Sequence, residues 1–149
     1  MEIHHSRHHQ TYVTSLNTAS EKLATLQSSA SASTPSSLAA QLALQPLIRF
    51  HAGGHVNHSL FWENLAPASQ GGGEAKGPVV AEIERVWGGM GVFKKEFEGV
   101  LAGVQGSGWA WLVKEGGTGG LRIVARANQD VVGAGLVPLL GVDAWEHAY

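Results

Sequence analysis

Seven of the eight histidines fall within the first 58 residues. His4, His8 and Tyr12 are spaced by four, so on a helix they line one face. His5 and His9 make a second row, rotated from the first by about 100°. His55 and His58 stand three apart and share a helix face, directly behind Gly53 and Gly54. Glycine lacks a β-carbon, so another backbone or a ligand can come close there. Far downstream, Asp143 and His147 stand four apart in DAWEH and converge if the chain turns helical at that point. A single histidine more often packs or meets solvent than binds a metal. Taken together, these elements offer imidazoles on two helices and an Asp/His pair at a strand end. Three imidazoles and one carboxylate make a hard-to-borderline set that suits iron, manganese or zinc, and the absence of sulfur disfavours Cu(I) and structural zinc.

The elements that must carry these residues follow from periodicity. Ile3, Tyr12, Val13, Leu16, Leu23 and Leu26 recur at helical spacing and predict a first helix from Glu2 to about Gln27. The small polar tract SSASAS at 28–33 reads as a surface loop. Thr34-Pro35 follows as an N-cap with proline at the first helical position. A second helical stretch passes Leu38, Leu42, Leu44 and Leu47, is expected to be disturbed at Pro46 and at Gly53-Gly54, and ends near Pro67; with the first it makes a hairpin. QGGGEAKG at 70–77 is a glycine-rich loop and the best boundary. It lacks the strand and lysine-bearing helix of a phosphate loop. Short helices are expected at 79–87 and 92–104. Beyond Gly108, WAWLV at 109–113, LRIVARA at 121–127 and LVPLLGV at 136–142 read as strands, the last of them buried, with EGGTGG as a turn. The fold class is α+β: an N-terminal α-helical hairpin lobe, 1–68, then an α+β lobe, 69–149, with a small three-stranded antiparallel sheet. The metal site is expected between the lobes, where ligands from both would pin them together.

Composition bounds the rest. The chain has 149 residues, 44% hydrophobic and 15% charged, a globular balance. A net charge of −2 argues against a nucleic-acid binder, which would carry a concentrated basic patch. No apolar run approaches the ~20 residues of a membrane span. There is no cysteine, hence no disulfide or thiolate site.

Five blocks in order, HHSRHHQTYV at 4–13, GGHVNHSLFW at 53–62, GVQGSGWAWL at 103–112, NQD at 128–130 and DAWEHAY at 143–149, resemble the manganese/iron superoxide dismutases. The last resembles the family signature. The resemblance implies His4, His58, Asp143 and His147 as ligands to one ion per chain, singling out His4 within HHSRHH and His58 over His55. It implies His8 and Tyr12 as a gateway pair, and Trp62, Trp109 and Trp145 as the aromatic enclosure. It implies Glu146 as the acid that reaches a partner's ligand histidine across a homodimer. Manganese members usually bring an outer glutamine from the second lobe, which Gln129 matches; typical iron members bring it from the position where this chain has Gly54. Manganese is therefore favoured, with iron or dual use the alternative.

The implied reaction converts superoxide to dioxygen and hydrogen peroxide, with Tyr12, Gln129 and His8 relaying protons. A non-catalytic remnant of the fold, and more remotely a zinc hydrolase with Glu146 as base, are the competing readings. Against the family pattern the chain reads as cut at both ends, which bears on stability more than on identity. Its compartment is expected to be the mitochondrial matrix or the cytoplasm, and its assembly a homodimer or homotetramer, with no nucleic-acid or membrane partner.

Overall fold

A computed structural model describes residues 1–73 and 75–149. Glu74, inside the glycine-rich stretch proposed as a boundary, lies outside the described residues. The chain divides into two compact units, Met1–His58 and Ser59–Tyr149.

In the first unit a π-helical turn, His4–His9, runs directly into helix α1, Gln10–Ser28. The π-helical pitch was not expected from the spacing. An extra residue per turn brings both histidine rows of HHSRHH toward the second helix, and such turns recur at functional sites. The loop at 29–34 follows. Helix α2, Pro35–Glu63, opens with Pro35 in the first turn, and the Ser37 amide donates to Thr34 Oγ1 at 3.4 Å. α2 differs from expectation in two ways. It runs unbroken through Pro46 and through Gly53-Gly54, and it stops at Glu63 rather than near Pro67. A proline forfeits one backbone bond and crowds the preceding turn; the helix nonetheless continues past it, with Leu44 buried two residues before.

Gly54 has a specific role. A β-carbon built on it would overlap the Tyr12 ring, so glycine at 54 lets α1 seat Tyr12 flat on the α2 backbone. Tyr12 is buried there, 6% exposed, with Phe50 and His51 beside it.

The second unit contains α3, Pro78–Trp87, and α4, Met90–Ala102, followed by strands β1, Gly108–Glu115, β2, Leu121–Ala127, and β3, Leu136–Asp143. The sheet order is β2-β1-β3, antiparallel throughout, with β1 at the centre. This matches the expected three-stranded sheet. Six consecutive β1 residues, Gly108–Val113, are buried because the strand is covered on both faces. Ala110 and Leu112 point to Ile83, Phe93 and Phe97 from α3 and α4. Trp109, Trp111 and Val113 point the other way, against Leu60, Phe61, Val132 and Trp145. The Trp111 ring lies over Gly141 of β3, where a β-carbon would overlap it. β3 is half-buried along most of its length rather than fully buried, as an edge strand should be. Asn64 ties the chain just after α2 to that edge: its side chain donates to Leu139 O at 3.2 Å and accepts from the Gly141 amide at 2.9 Å. Among the described residues no helix is long and apolar enough to cross a membrane.

Candidate metal centre

The hairpin unit contributes three imidazoles. His58, near the end of α2, is fully buried, and its Nδ1 lies 2.7 Å from Gly54 O, four residues back. A carbonyl can only accept, so Nδ1 carries the hydrogen and Nε2 carries the lone pair. That Nε2 faces His4 Nε2 at 3.1 Å. Two nitrogens on one ion, each about 2.0–2.1 Å from it, stand roughly 3 Å apart, so this pair already has the spacing of neighbouring ligands. His8 completes the group: one nitrogen from each of His4, His8 and His58 lies within 4.8 Å of the others.

Burial, which penalises the charged form, pushes the His58 pKa down to about 3; the Gly54 bond opposes this, and the imidazoles of His8, His4 and His9 add to it. His58 is therefore neutral at physiological pH, the form that binds a metal. Tyr12 and His8 meet edge to face with ring centroids 5.0 Å apart, and Tyr12 sits 5.3 Å from the His58 ring.

The second unit, taken by itself, holds a carboxylate and an imidazole side by side. Trp109 in β1 pairs across the ladder with Asp143 at the end of β3. The Ala144 amide then donates to Gly108 O at 2.9 Å, and the chain turns through a 3₁₀ segment, Glu146–Ala148. That turn is shorter than a full helix but suffices to bring His147 Nε2 within 3.1 Å of Asp143 Oδ2. Asp143 Oδ1 accepts from the Trp145 amide at 2.9 Å. Asp143 is buried, and burial raises its pKa, opposed by the Trp145 amide and His147. Such a carboxylate gains most from a cation that replaces its lost hydration.

Gln129 is buried in this unit, 1% exposed, and its Oε1 accepts from Trp109 Nε1 at 3.0 Å. The bond fixes which end of the amide is the carbonyl. Asn128 makes the placement possible: its φ of 50° lies in the left-handed region, which asparagine tolerates, and its amide donates to Ser107 O at 2.8 Å. The aromatic residues cluster here too. Trp109 stacks on Trp111 with centroids 5.5 Å apart, Phe61 meets Trp109 edge to face at 5.7 Å, and Trp62 lies against Phe61 at 5.0 Å. Trp145 lies 6.0 Å from His147 and donates to Asn128 O at 3.2 Å. Glu146 is exposed.

Two contributors were not foreseen. Asn128 appears in the NQD block, but nothing local announces a left-handed residue. The other is a bond between His9 Nε2 and His55 Nδ1 at 2.8 Å. The i, i+4 and i, i+3 spacings signalled both rows, but not which rows would meet.

The pattern of the iron/manganese superoxide dismutases, alpha-hairpin domain, matches residues 1–66, and that of their C-terminal domain matches residues 75–149. The chain belongs to the iron/manganese superoxide dismutase family. Among similar proteins of this family, a mitochondrial manganese superoxide dismutase of Neurospora crassa is 52% identical over 154 residues, covering all of this chain and 60% of that protein. A mitochondrial manganese superoxide dismutase of Schizosaccharomyces pombe is 47% identical over 151 residues, covering all of this chain and 65% of that protein. The chain thus spans roughly three-fifths to two-thirds of the length of these dismutases. Both domains of the dismutase family are matched in order, as the fold requires.

Proposed function

We propose that this chain carries the catalytic core of a manganese superoxide dismutase, which converts superoxide to dioxygen and hydrogen peroxide. The supporting observation is the His4–His58 pair. Two imidazole Nε2 atoms stand at ligand spacing, one of them on a histidine that burial keeps neutral and that Gly54 orients, in a chain of this family. Asp143 and His147 stand at a similar spacing in the second unit. In this reading His4, His58, Asp143 and His147 hold a single ion between the lobes 1–68 and 69–149. The donor set fits manganese: three imidazoles and one carboxylate, without sulfur.

Manganese, when bound, supplies one-electron cycling between two oxidation states. The protein supplies the rest. Gly54 and Trp145 orient His58 and Asp143 through their backbone atoms, which keeps the ligands from turning away. Trp62, Trp109 and Trp145 exclude bulk water and stiffen the surround. Tyr12 Oη, His8 and the Gln129 amide pass the protons that peroxide must take up. Gln129, locked by Trp109, tunes the acidity and potential of the centre.

Manganese is preferred to iron on an observation at position 54. Residue 54 is glycine, with the Tyr12 ring packed against it, so it offers no side chain in place of the glutamine that iron-type members carry there. Gln129 supplies it from the second lobe instead. The proposed assembly is a homodimer or homotetramer in which Glu146 reaches the partner, and the proposed compartment is the mitochondrial matrix, by analogy with the names of both relatives.

Reconstitution with manganese or iron, followed by a dismutation assay, tests the reading. Activity with manganese exceeding that with iron is expected. Activity only with iron would overturn the metal assignment, and none with either, at full occupancy, would overturn the function.

A further inference from the structure

The hairpin carries its histidines twice. His4 and His8 on the π-helical turn are matched, one residue on, by His5 and His9, and His58 on α2 is matched three residues earlier by His55. The second set also converges. His9 Nε2 and His55 Nδ1 face each other at 2.8 Å, with ring centroids 5.1 Å apart. His5 meets His9 edge to face at 5.9 Å and is exposed, His55 is half-buried and His9 is buried, 9% exposed. The group therefore opens to solvent on the His5 side.

We propose that His9 and His55, completed by His5, form a second metal site that takes one borderline divalent cation of the zinc, cobalt or nickel class. The His9–His55 separation is close to the roughly 3 Å between neighbouring nitrogens on one such ion. An ion between them takes the place of the proton they share, which passes to solvent, and the nitrogens part by a few tenths of an ångström. His5 turns about its χ angles to supply the third nitrogen; its exposure lets it do so without disturbing the core. An all-imidazole set with neither carboxylate nor thiolate favours zinc, nickel or cobalt over harder cations, so this site does not compete with the carboxylate-bearing one for manganese. The His9 ring also stacks on His58, with centroids 5.5 Å apart and planes 21° apart. An ion on His9 is thereby felt at a proposed manganese ligand without sharing it.

The test is a cobalt(II) titration of the full chain after manganese loading, read by calorimetry and by the visible d–d absorption of cobalt. Released manganese is followed by its six-line electron paramagnetic resonance signal. One cobalt per chain beyond the manganese is expected, with no manganese released. His55→Gln and His9→Gln are expected to weaken that cobalt by about tenfold or more, about 1.4 kcal/mol each, and His5→Ala to weaken it less, all three keeping their manganese. A chain that takes up no cobalt beyond its first site would overturn the proposal, leaving His9–His55 as a tie between two helices. Undiminished cobalt affinity in both His55→Gln and His5→Ala would overturn it equally. Should His9→Gln not fold, the other two decide, since His5 is exposed. If manganese fails to load, the same variants titrated metal-free give the answer independently of the dismutase reading.

Discussion

The Tyr12 ring rests on the α2 backbone at Gly54, in space that any β-carbon at that position would occupy. Gly54 also lends its carbonyl to His58 Nδ1. One residue thus seats the proposed gateway tyrosine and orients a proposed ligand. Gly54→Ala should cost about 1–3 kcal/mol through overpacking, despite alanine's better helix propensity. Gly99→Ala, in α4 with nothing within 4 Å of the added methyl, should stabilise by up to about 1 kcal/mol. Denaturant midpoints of the two variants check the contrast, and equal shifts in the same direction would refute it.

The pH dependence of the metal-free chain follows from His58. Its pKa is about 3 in the fold and about 6.5 in the unfolded chain. Between these values the unfolded state holds a proton that the folded state does not, so stability falls as pH drops from 6.5 towards 3. The slope from this one group is at most about 1.4 kcal/mol per pH unit. Asp143 acts in the opposite sense, since its raised pKa lets the folded state keep a proton that the unfolded state has lost. In His58→Gln the acid slope should shrink. An unchanged slope by urea titration at pH 4, 5 and 6 would exclude His58 as its source.

How much of this could be read from the chain varies by element. The antiparallel strands were legible because β1 and its neighbours alternate or run apolar between clear turn residues, and the start of α2 was legible from Thr34-Pro35. The grouping of His4, His8 and Tyr12 was legible because i, i+4 neighbours share a helix face. The continuity of α2 through Pro46 was not, because the local cost of a proline is outweighed by packing that only the folded hairpin provides. The π-helical turn and the left-handed Asn128 were hidden for the same reason: each is a local conformation held by distant contacts. The choice of His58 over His55 came from family resemblance and not from spacing, and the geometry shows why spacing could not decide. Both histidines have a partner on the first helical segment, His4 and His9 respectively.

Gln129 and Trp109 should separate metal retention from turnover. Gln129→Leu removes the acceptor of a buried indole N–H, which costs about 1–3 kcal/mol. Manganese content should stay near one per chain while the rate per manganese falls. Metal loss on this substitution would show that Gln129 holds the ion rather than tuning it.

The two stacked tryptophans should differ on truncation. Trp109→Phe leaves Gln129 Oε1 without its indole donor, whereas the Trp111 indole N–H is already buried without a partner among the described residues. Both changes lose similar ring volume, so Trp109→Phe should be the more destabilising by about 1–3 kcal/mol. Calorimetric unfolding of the pair measures the difference, and a larger cost for Trp111→Phe would contradict it.

The central claim, one manganese held by side chains from both units, is tested most directly by manganese stoichiometry in single alanine variants of His4, His58, Asp143 and His147, loaded in parallel and measured by elemental analysis. The account predicts close to one manganese in the parent chain and a marked loss in every one of the four. Full occupancy in the Asp143 and His147 variants, with loss confined to His4 and His58, would place the ion on the hairpin alone and contradict it.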